Sequence, residues 1–414
     1  YYYILSYYNM MTSKIKDWKK DKEKIQLEIL NFNSDGSCHA ELESKKFKVL
    51  GAIPGEIVLA EIIREFPDFS VANVSEILKS SSNRIEPPCD YYLACSGCQL
   101  QHLKYEFQLK LKTKIVNDQL AKSQKFEQVK ILDIIGSDKL FHYRNHARLT
   151  VAKKPPFRGN IGFVNKFTRK IIKINKCLLM DHKINHLINF IQGKLKGMSQ
   201  LSIRVGSNSG YVLMQPNFQN ILPEIKSGQD KITEMFLGQP FRIGSPSFFQ
   251  VNTAQAEKLS ELLSVHLDLN GSETVLDAYC GVGVFSILLA PFVKEVVGIE
   301  ISDSAIEDAK FNSRHLNNVR FIRGSSEESL NTLNFSPDVV ILDPPRSGCN
   351  KDVLDSLLLI KPNKILMISC DLESFIRDSE IICSNDYILK LVQPVDMFPH
   401  TKHIEVLGVI EKIN

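Results

Sequence analysis

At 414 residues, with 43% hydrophobic and 24% charged side chains, the chain is too long for one core and has the composition of a globular protein of about two to three domains. No apolar run approaches the roughly 18 residues that a membrane span needs, and the Tyr-rich opening from Tyr1 to Met10 lacks the basic flank and small-residue cleavage site of a signal peptide, so the expected compartment is the cytoplasm. Nine cysteines, an odd number scattered through a large chain, argue against a secreted disulfide framework and for reduced thiols with separate roles.

Met10 and Met11 precede an ordinary polar beginning, Thr12 to Lys14, and residues 1–21 read as an extension whose opening is either non-native or a mis-called start. Short β-type runs then alternate with turn signals: Ile25 to Ile29, Asp35-Gly36, Phe47 to Leu50, Pro54-Gly55 and Ile57 to Ile63. This pattern predicts a small β-barrel over 22–82. The polar, Pro-containing stretch from Ser80 to Pro88 marks its end.

Residues 83–245 mix helical and strand patterns in an α+β segment. The net charge of the chain is +4, yet residues 1–180 hold 30 Lys/Arg against 19 Asp/Glu, whereas residues 181–414 hold 21 against 28. The excess is sharpest at 139–180, with eleven Lys/Arg and no Asp or Glu, interleaved with Phe141, His142, Tyr143, His146, Phe157, Phe163 and Phe167. Such a stripe suits a polyanion with stackable bases, or else a solvated face balanced by acids elsewhere in space. Over 246–414 apolar runs alternate with helical stretches, the pattern of a parallel sheet covered on both faces, with strands predicted at 274–280, 295–300, 319–324, 338–343 and 364–370 and closing strands near 387–396 and 403–411. No internal repeat is evident.

Chemistry gathers at the ends of these predicted strands. The run from Thr274 through Asp277, Tyr279, Cys280, Gly281 and Gly283 is a buried-type strand entering a glycine turn, which lets backbone approach a ligand closely. The third glycine of a dinucleotide fingerprint would fall at Ser286, a weak match. The next strand ends in Glu300, where two carboxylate oxygens can accept both hydroxyls of a ribose, and a third reaches Asp343-Pro344-Pro345. Together these resemble the S-adenosylmethionine-dependent methyltransferases. Relatives that methylate exocyclic amines follow the Pro-Pro with Tyr or Phe, whereas Arg346 stands here, which turns attention to carbon.

Carbon 5 of uracil is a poor nucleophile, and a thiolate added to carbon 6 makes it an enolate able to attack a methyl group. Cys370 ends the strand after Asp343, and Asp371 is placed to begin a helix whose N-terminus would favour the thiolate. The bland reading is a small buried hydrophobe. After transfer, carbon 5 still carries a proton, and Glu405, an acid interrupting an apolar strand after the polar loop Pro399 to His403, is the candidate base; otherwise it is a solvent-facing strand residue. From about residue 22 onward the chain resembles the RNA 5-methyluridine methyltransferases, which place the nucleophile in a Ser-Cys-Asn/Asp strand end and the base in a C-terminal His-x-Glu strand. The resemblance implies Cys370 as nucleophile and Glu405 as general base. It further implies Gln250, in Ser247 to Asn252, with Tyr279, Gly281, Glu300, Ser325 and Asp343 as the S-adenosylmethionine pocket. Val284 departs from the pattern, since relatives often carry Asn there.

Cys89, Cys95 and Cys98 are separated by five and two residues, and Cys177 lies in the basic block. Thiolates so spaced are ready ligands, for structural zinc or for iron and sulfide. The ribosomal-RNA branch of the family shows this spacing and binds a [4Fe-4S] cluster, and the resemblance implies the same here. Because the methylation chemistry contains no redox step, the expected role of the cluster is structural: to pin the basic segment to the 89–98 loop and shape an RNA surface. Residues Asp35 to Glu56 resemble the TRAM domain, an OB-like RNA-binding barrel of many relatives. The expected architecture is therefore α/β: a TRAM barrel, a central α+β iron-sulfur domain at 83–245, and a Rossmann-like class I methyltransferase domain at 246–414. The expected activity is methylation of a uridine of 23S ribosomal RNA at carbon 5, with no membrane and no obligate protein partner. The alternatives are transfer RNA as substrate, or a non-catalytic RNA-binding iron-sulfur protein.

Overall fold

In the computed structural model, residues 24–384 and 386–413 are described, and the expected extension 1–21 lies outside them. The alternating N-terminal runs pair into β1 (Lys24–Glu28), β2 (Asn31–Phe32), β3 (Cys38–Leu42), β4 (Lys45–Leu50), β5 (Ile57–Glu65) and β6 (Ser70–Lys79). They form a six-stranded sheet of order β1-β5-β6-β4-β3-β2 in the segment read as a small barrel. Inward residues Leu27, Ala40, Val49, Val58 and Ala72 share one core, as the period-2 pattern requires.

The described residues group into two compact units, one reaching to Glu86 and including Lys166–Arg169, the other comprising Pro87–Asn165 and Lys170 onward. The second unit holds the segments expected as a central and a C-terminal domain. It begins with α1 (Tyr105–Leu120) and β7 (Lys130–Ile131), followed by β8 (His146–Val151), β9 (Ile161–Val164) and β10 (Ile171–Lys173). After α2 (His182–Ile191) come β11 (Gln200–Val205) and β12 (Val212–Gln215), and these strands make an antiparallel sheet of order β10-β9-β8-β11-β12. Helix α2 is capped by Asp181, which accepts from Lys183 N, and buries Ile184, Ile188 and Ile191 at helical spacing against the Ala147, Leu149, Leu201 and Ile203 face.

A hairpin of β13 (Lys231–Phe236) and β14 (Gln239–Gly244) leads into α3 (Thr253–Leu267), and from there strands and helices alternate. They are β15 (Thr274–Asp277), α4 (Val284–Leu289), β16 (Glu295–Glu300), α5 (Asp303–Asn312), β17 (Val319–Arg323), α6 (Ser326–Leu330), β18 (Val339–Leu342), α7 (Lys351–Ile360), β19 (Lys364–Ser369) and α8 (Leu372–Ile382). Two long strands, β20 (Tyr387–Val395) and β21 (Glu405–Lys412), close the chain. The sheet has eight strands in the order β17-β16-β15-β18-β19-β21-β20-β7, parallel from β17 to β19, with β21 antiparallel to β19. Seven of these strands were expected; the eighth, β7, is recruited from residue 130 by parallel pairing with β20.

Successive residues of each central strand enter opposite cores: Val275, Val296, Val339 and Leu366 on one face, Leu276, Val297, Val340 and Ile365 on the other. Burial on both faces explains why these strands read as continuous apolar runs. Strand order reverses between β16-β15 and β15-β18, and such a switch point leaves a crevice beyond the carboxyl ends of the strands.

Candidate active site

Asp277, Glu300, Asp343 and Cys370 end or directly follow β15, β16, β18 and β19, so the parallel sheet delivers them to one edge. Because β21 runs the other way, its first residue, Glu405, arrives at that same edge. The register pairs Ser369 with Val406, which puts Cys370 and Glu405 next across the ladder, and Leu342 with Met367, which brings Asp343 alongside. Asp371 caps α8, accepting from Ser374 N at 3.0 Å. Arg346, just past Pro344-Pro345, is near the Cys370 thiol, where its charge favours the thiolate.

The electrostatics are those of crowded, buried acids with one compensating cation. Glu405 is 3% exposed, and burial, with Asp343 next to it, pushes its carboxyl up to about 8 against the pull of Arg346. Burial and Asp277 raise Asp343 to about 7, and burial raises Asp277 to about 6. Cys370 also moves up, first through burial and then through Glu405 and Asp343, with Arg346 opposing. The helix expected after Cys370 is present, but it does not bring the thiol below its ordinary range: burial and the two carboxylates outweigh it. Arg346, read from sequence only as a mark against amine methylation, is the missing cation of the site. Its signal was its place directly after the strand-end Pro-Pro.

Four of the expected cofactor residues, Gln250, Tyr279, Gly281 and Asp343, line one cavity together with Phe249, Val284 and Phe285. Glu300 fixes the glycine turn from outside, accepting Gly281 N at 3.1 Å on one oxygen and Ser302 N at 2.7 Å on the other. Gly283 has φ +84°, and a Cβ there would stand 3.0 Å from the Phe321 ring, so the turn requires glycine. Ser325 caps α6, its hydroxyl accepting from Glu328 N at 3.3 Å, and it is not among the residues lining the cavity. Asp277 holds Ser286 Oγ at 2.7 Å and leaves Oδ1 buried with no hydrogen-bond partner among the described residues.

The four expected ligand cysteines come near one another. Burial pushes all four thiols up, and Cys98 is pushed further by Cys177, Cys95 and Cys89. Donors point at the sulfurs: Gly97 N lies 3.4 Å from Cys95 Sγ and Gln101 Nε2 3.1 Å from Cys98 Sγ, while Leu179 and Met180 N–H groups face Cys177. Such donors suit thiolate ligands. Yet among the described residues no group of three or more His, Cys, Asp or Glu side chains is placed to hold a metal ion, so the donor chemistry fits a cluster while the geometry is not closed around one.

The aromatic stripe is only partly available for stacking. Tyr143 is buried with its hydroxyl on Pro399 O at 3.1 Å, Phe141 stacks on His400, and His142 stacks on His182. Phe157 is the exposed large aromatic of the run, at 64%.

A sequence profile described as tRNA (Uracil-5-)-methyltransferase matches residues 237–413. An uncharacterized RNA methyltransferase of Clostridium acetobutylicum is 32% identical over 453 residues, covering 95% of this chain and 98% of the relative. Another, from Staphylococcus aureus, is 31% identical over 92% of this chain and 96% of its own length. Among solved structures, the Pyrococcus abyssi tRNA (uracil-54, C5)-methyltransferase in complex with S-adenosyl-L-homocysteine superposes with a TM-score of 0.74 at 25% identity, over 93% of this chain and 100% of that one. No helix among the described residues is long and apolar enough to cross a membrane. With its strand-end acids and thiol on a sheet of this order, the chain belongs to the S-adenosylmethionine-dependent RNA (uracil-5-)-methyltransferase family.

Proposed function

We propose that the chain methylates carbon 5 of a uridine in 23S ribosomal RNA through a covalent adduct between Cys370 and carbon 6 of the ring. The observation that carries this reading is the meeting of Cys370, Glu405 and Arg346 at one sheet edge, beside a cavity lined by Gln250, Tyr279, Gly281 and Asp343. S-adenosylmethionine would be held by those four residues with Glu300 and Ser325, and supplies an electrophilic methyl carbon. Arg346 favours the thiolate of Cys370, which adds to carbon 6 while the electron pair of the ring double bond moves toward carbon 5. The proximity of Glu405 to that thiol gives it the position of the base that later removes the carbon 5 proton.

The buried Tyr143 and stacked Phe141 leave fewer free rings for RNA than the sequence suggests, but the cationic character of the 139–180 segment still suits a phosphate backbone. An N-terminal TRAM-type barrel and a cluster on Cys89, Cys95, Cys98 and Cys177 favour ribosomal RNA in this reading. The cluster is taken as a [4Fe-4S] group serving as a structural brace. Protein isolated without oxygen should contain iron and sulfide in equal amounts that disappear in the Cys98→Ser variant; stoichiometric zinc instead would remove the iron-sulfur assignment. A second reading, transfer RNA as substrate, is favoured by the likeness to the Pyrococcus abyssi enzyme over nearly the whole chain.

Incubation with ribosomal and transfer RNA and labelled S-adenosylmethionine, followed by mass mapping, separates the two. RNA bearing 5-fluorouridine should trap a covalent complex with the parent enzyme and none with Cys370→Ala. Methylation surviving in Cys370→Ala would refute the mechanism.

A further inference from the structure

Glu405 is the first residue of β21, so its position depends on the irregular segment that precedes it, Asp396 to His403. That segment is interior: Asp396, Met397, His400 and Thr401 are buried. His400 adopts φ +67°, a conformation rarely taken by residues other than glycine and kept only where surroundings impose it.

The imposing contacts come from α1, from the loop directly after Cys98 and from Tyr143, just before β8. Gln108 holds both sides of His400, accepting its N–H at 2.9 Å and meeting Nδ1 at 3.1 Å. The N–H groups of Gln99 and Leu100 donate to His400 O at 3.1 and 3.0 Å. Lys112, itself fully buried, reaches Asp396 Oδ1 at 2.6 Å and Phe398 O at 3.2 Å. Tyr143, whose surroundings include Cys98 and Cys177, donates to Pro399 O at 3.1 Å. A buried ion pair is a costly way to fill space, and apolar side chains often do so as well; what a pair of this kind adds is one fixed geometry.

We propose that α1, the loop after Cys98 and Tyr143, just before β8, form a clamp that holds Glu405 in place for proton removal, making Gln108, Lys112 and Tyr143 positioning residues for that step. The inference rests on the adduct mechanism proposed above and adds to it which step the clamp serves. In the methylated adduct, carbon 5 carries a proton and carbon 6 carries Cys370 Sγ. The Glu405 carboxylate takes the proton, the C5–H electron pair becomes the C5=C6 bond, and the C6–S pair leaves with Cys370 as thiolate. Methyl transfer comes earlier and does not use Glu405. A displaced Glu405 therefore stalls release and spares transfer.

The test is single-turnover reaction of full-length Gln108→Leu, Tyr143→Phe and Lys112→Met with labelled S-adenosylmethionine and ordinary uridine-containing ribosomal and transfer RNA, run on denaturing gels. In the variants, labelled methyl should reach RNA at close to the parent rate, while protein–RNA adduct accumulates and decays about a hundredfold more slowly, a loss that a roughly 1 Å misplacement can cause. Equal loss of transfer and release would mean a merely structural role and would overturn the proposal, as would unchanged decay. Should Lys112→Met fail to fold, the other two, which leave no unpaired charge, decide the matter. If the parent traps no adduct even with 5-fluorouridine RNA, the covalent mechanism itself is wrong and the clamp has no step to serve, an outcome distinct from a parent that traps and variants that behave like it.

Discussion

A carboxyl group serves as a base only in its ionised form, and Glu405 is buried where that form is disfavoured, its carboxyl raised to about 8 by burial and by Asp343. Arg346 is the group that opposes this, and the same guanidinium also favours the thiolate of Cys370. Removing it should raise both groups together. In the proposed mechanism Glu405 and Cys370 must both be deprotonated, so the rate should climb with pH, and in Arg346→Gln that climb should shift to higher pH. Near neutrality the loss should be about a hundredfold, at the lower end of what a positioned acid-base group contributes, with partial recovery under alkaline conditions. A pH–rate profile lowered by one factor at every pH would instead assign Arg346 to RNA binding. The buried Asp343 carboxylate, raised to about 7, is a natural place for a cationic ligand, whose arrival would favour its ionised form.

How far the sequence exposes the structure depends on where each element's partners lie. Strands β15, β16, β18 and β19 were legible because burial on both faces writes a continuous apolar run, and the acids and the thiol at their ends stood out as polar residues closing such runs. Glu405 was legible for the same reason at the start of β21. Strand β7 was not, since two residues, Lys130 and Ile131, carry no periodicity and are strand only because β20 offers an open edge. Nor was the role of α1. Lys112 in the sequence is one lysine among several on a polar helix, and its inward orientation is dictated by Asp396, 284 residues away. Tyr143 was read as part of an RNA-facing stripe because charge and aromatic content are local signals, whereas its hydrogen bond to Pro399 spans 256 residues. The helix after Cys370 was foreseen with its Asp371 cap, but the direction of the thiol's pKa was not, because it is set first by burial and then by Glu405 and Asp343, brought in from the start of β21 and the end of β18.

Across the whole molecule the perturbed acids differ between the two units: those of the N-terminal unit are lowered, while the fully buried ones of the larger unit are raised. In the N-terminal unit, burial would raise Asp35 and Glu56, but hydrogen bonds from Ser37 and Lys48 to the first, and from Arg84, Ser81 N and Ile53 N to the second, bring both below the ordinary carboxylate range. Groups of this kind contribute stability that is present above the unfolded value of about 4 and lost as pH falls through the folded one. In the larger unit, Asp277, Asp343 and Glu405 are raised to about 6, 7 and 8, so the folded state binds protons more tightly than the unfolded chain. Their contribution is full below about 4 and is lost as pH rises through those folded values. Calorimetry should therefore find the two units diverging with pH: acid lowers the melting of the N-terminal unit, and the rise from about 4 to 8 lowers that of the larger one. S-adenosylmethionine, a cation at its sulfur, should restore the larger unit most strongly at the alkaline end, where Asp343 is ionised. Asp343→Asn should melt above the parent at pH near 8 without ligand and gain less from it. A single transition that moves the same way at both ends of the range would contradict the assignment of these acids to separate units of stability.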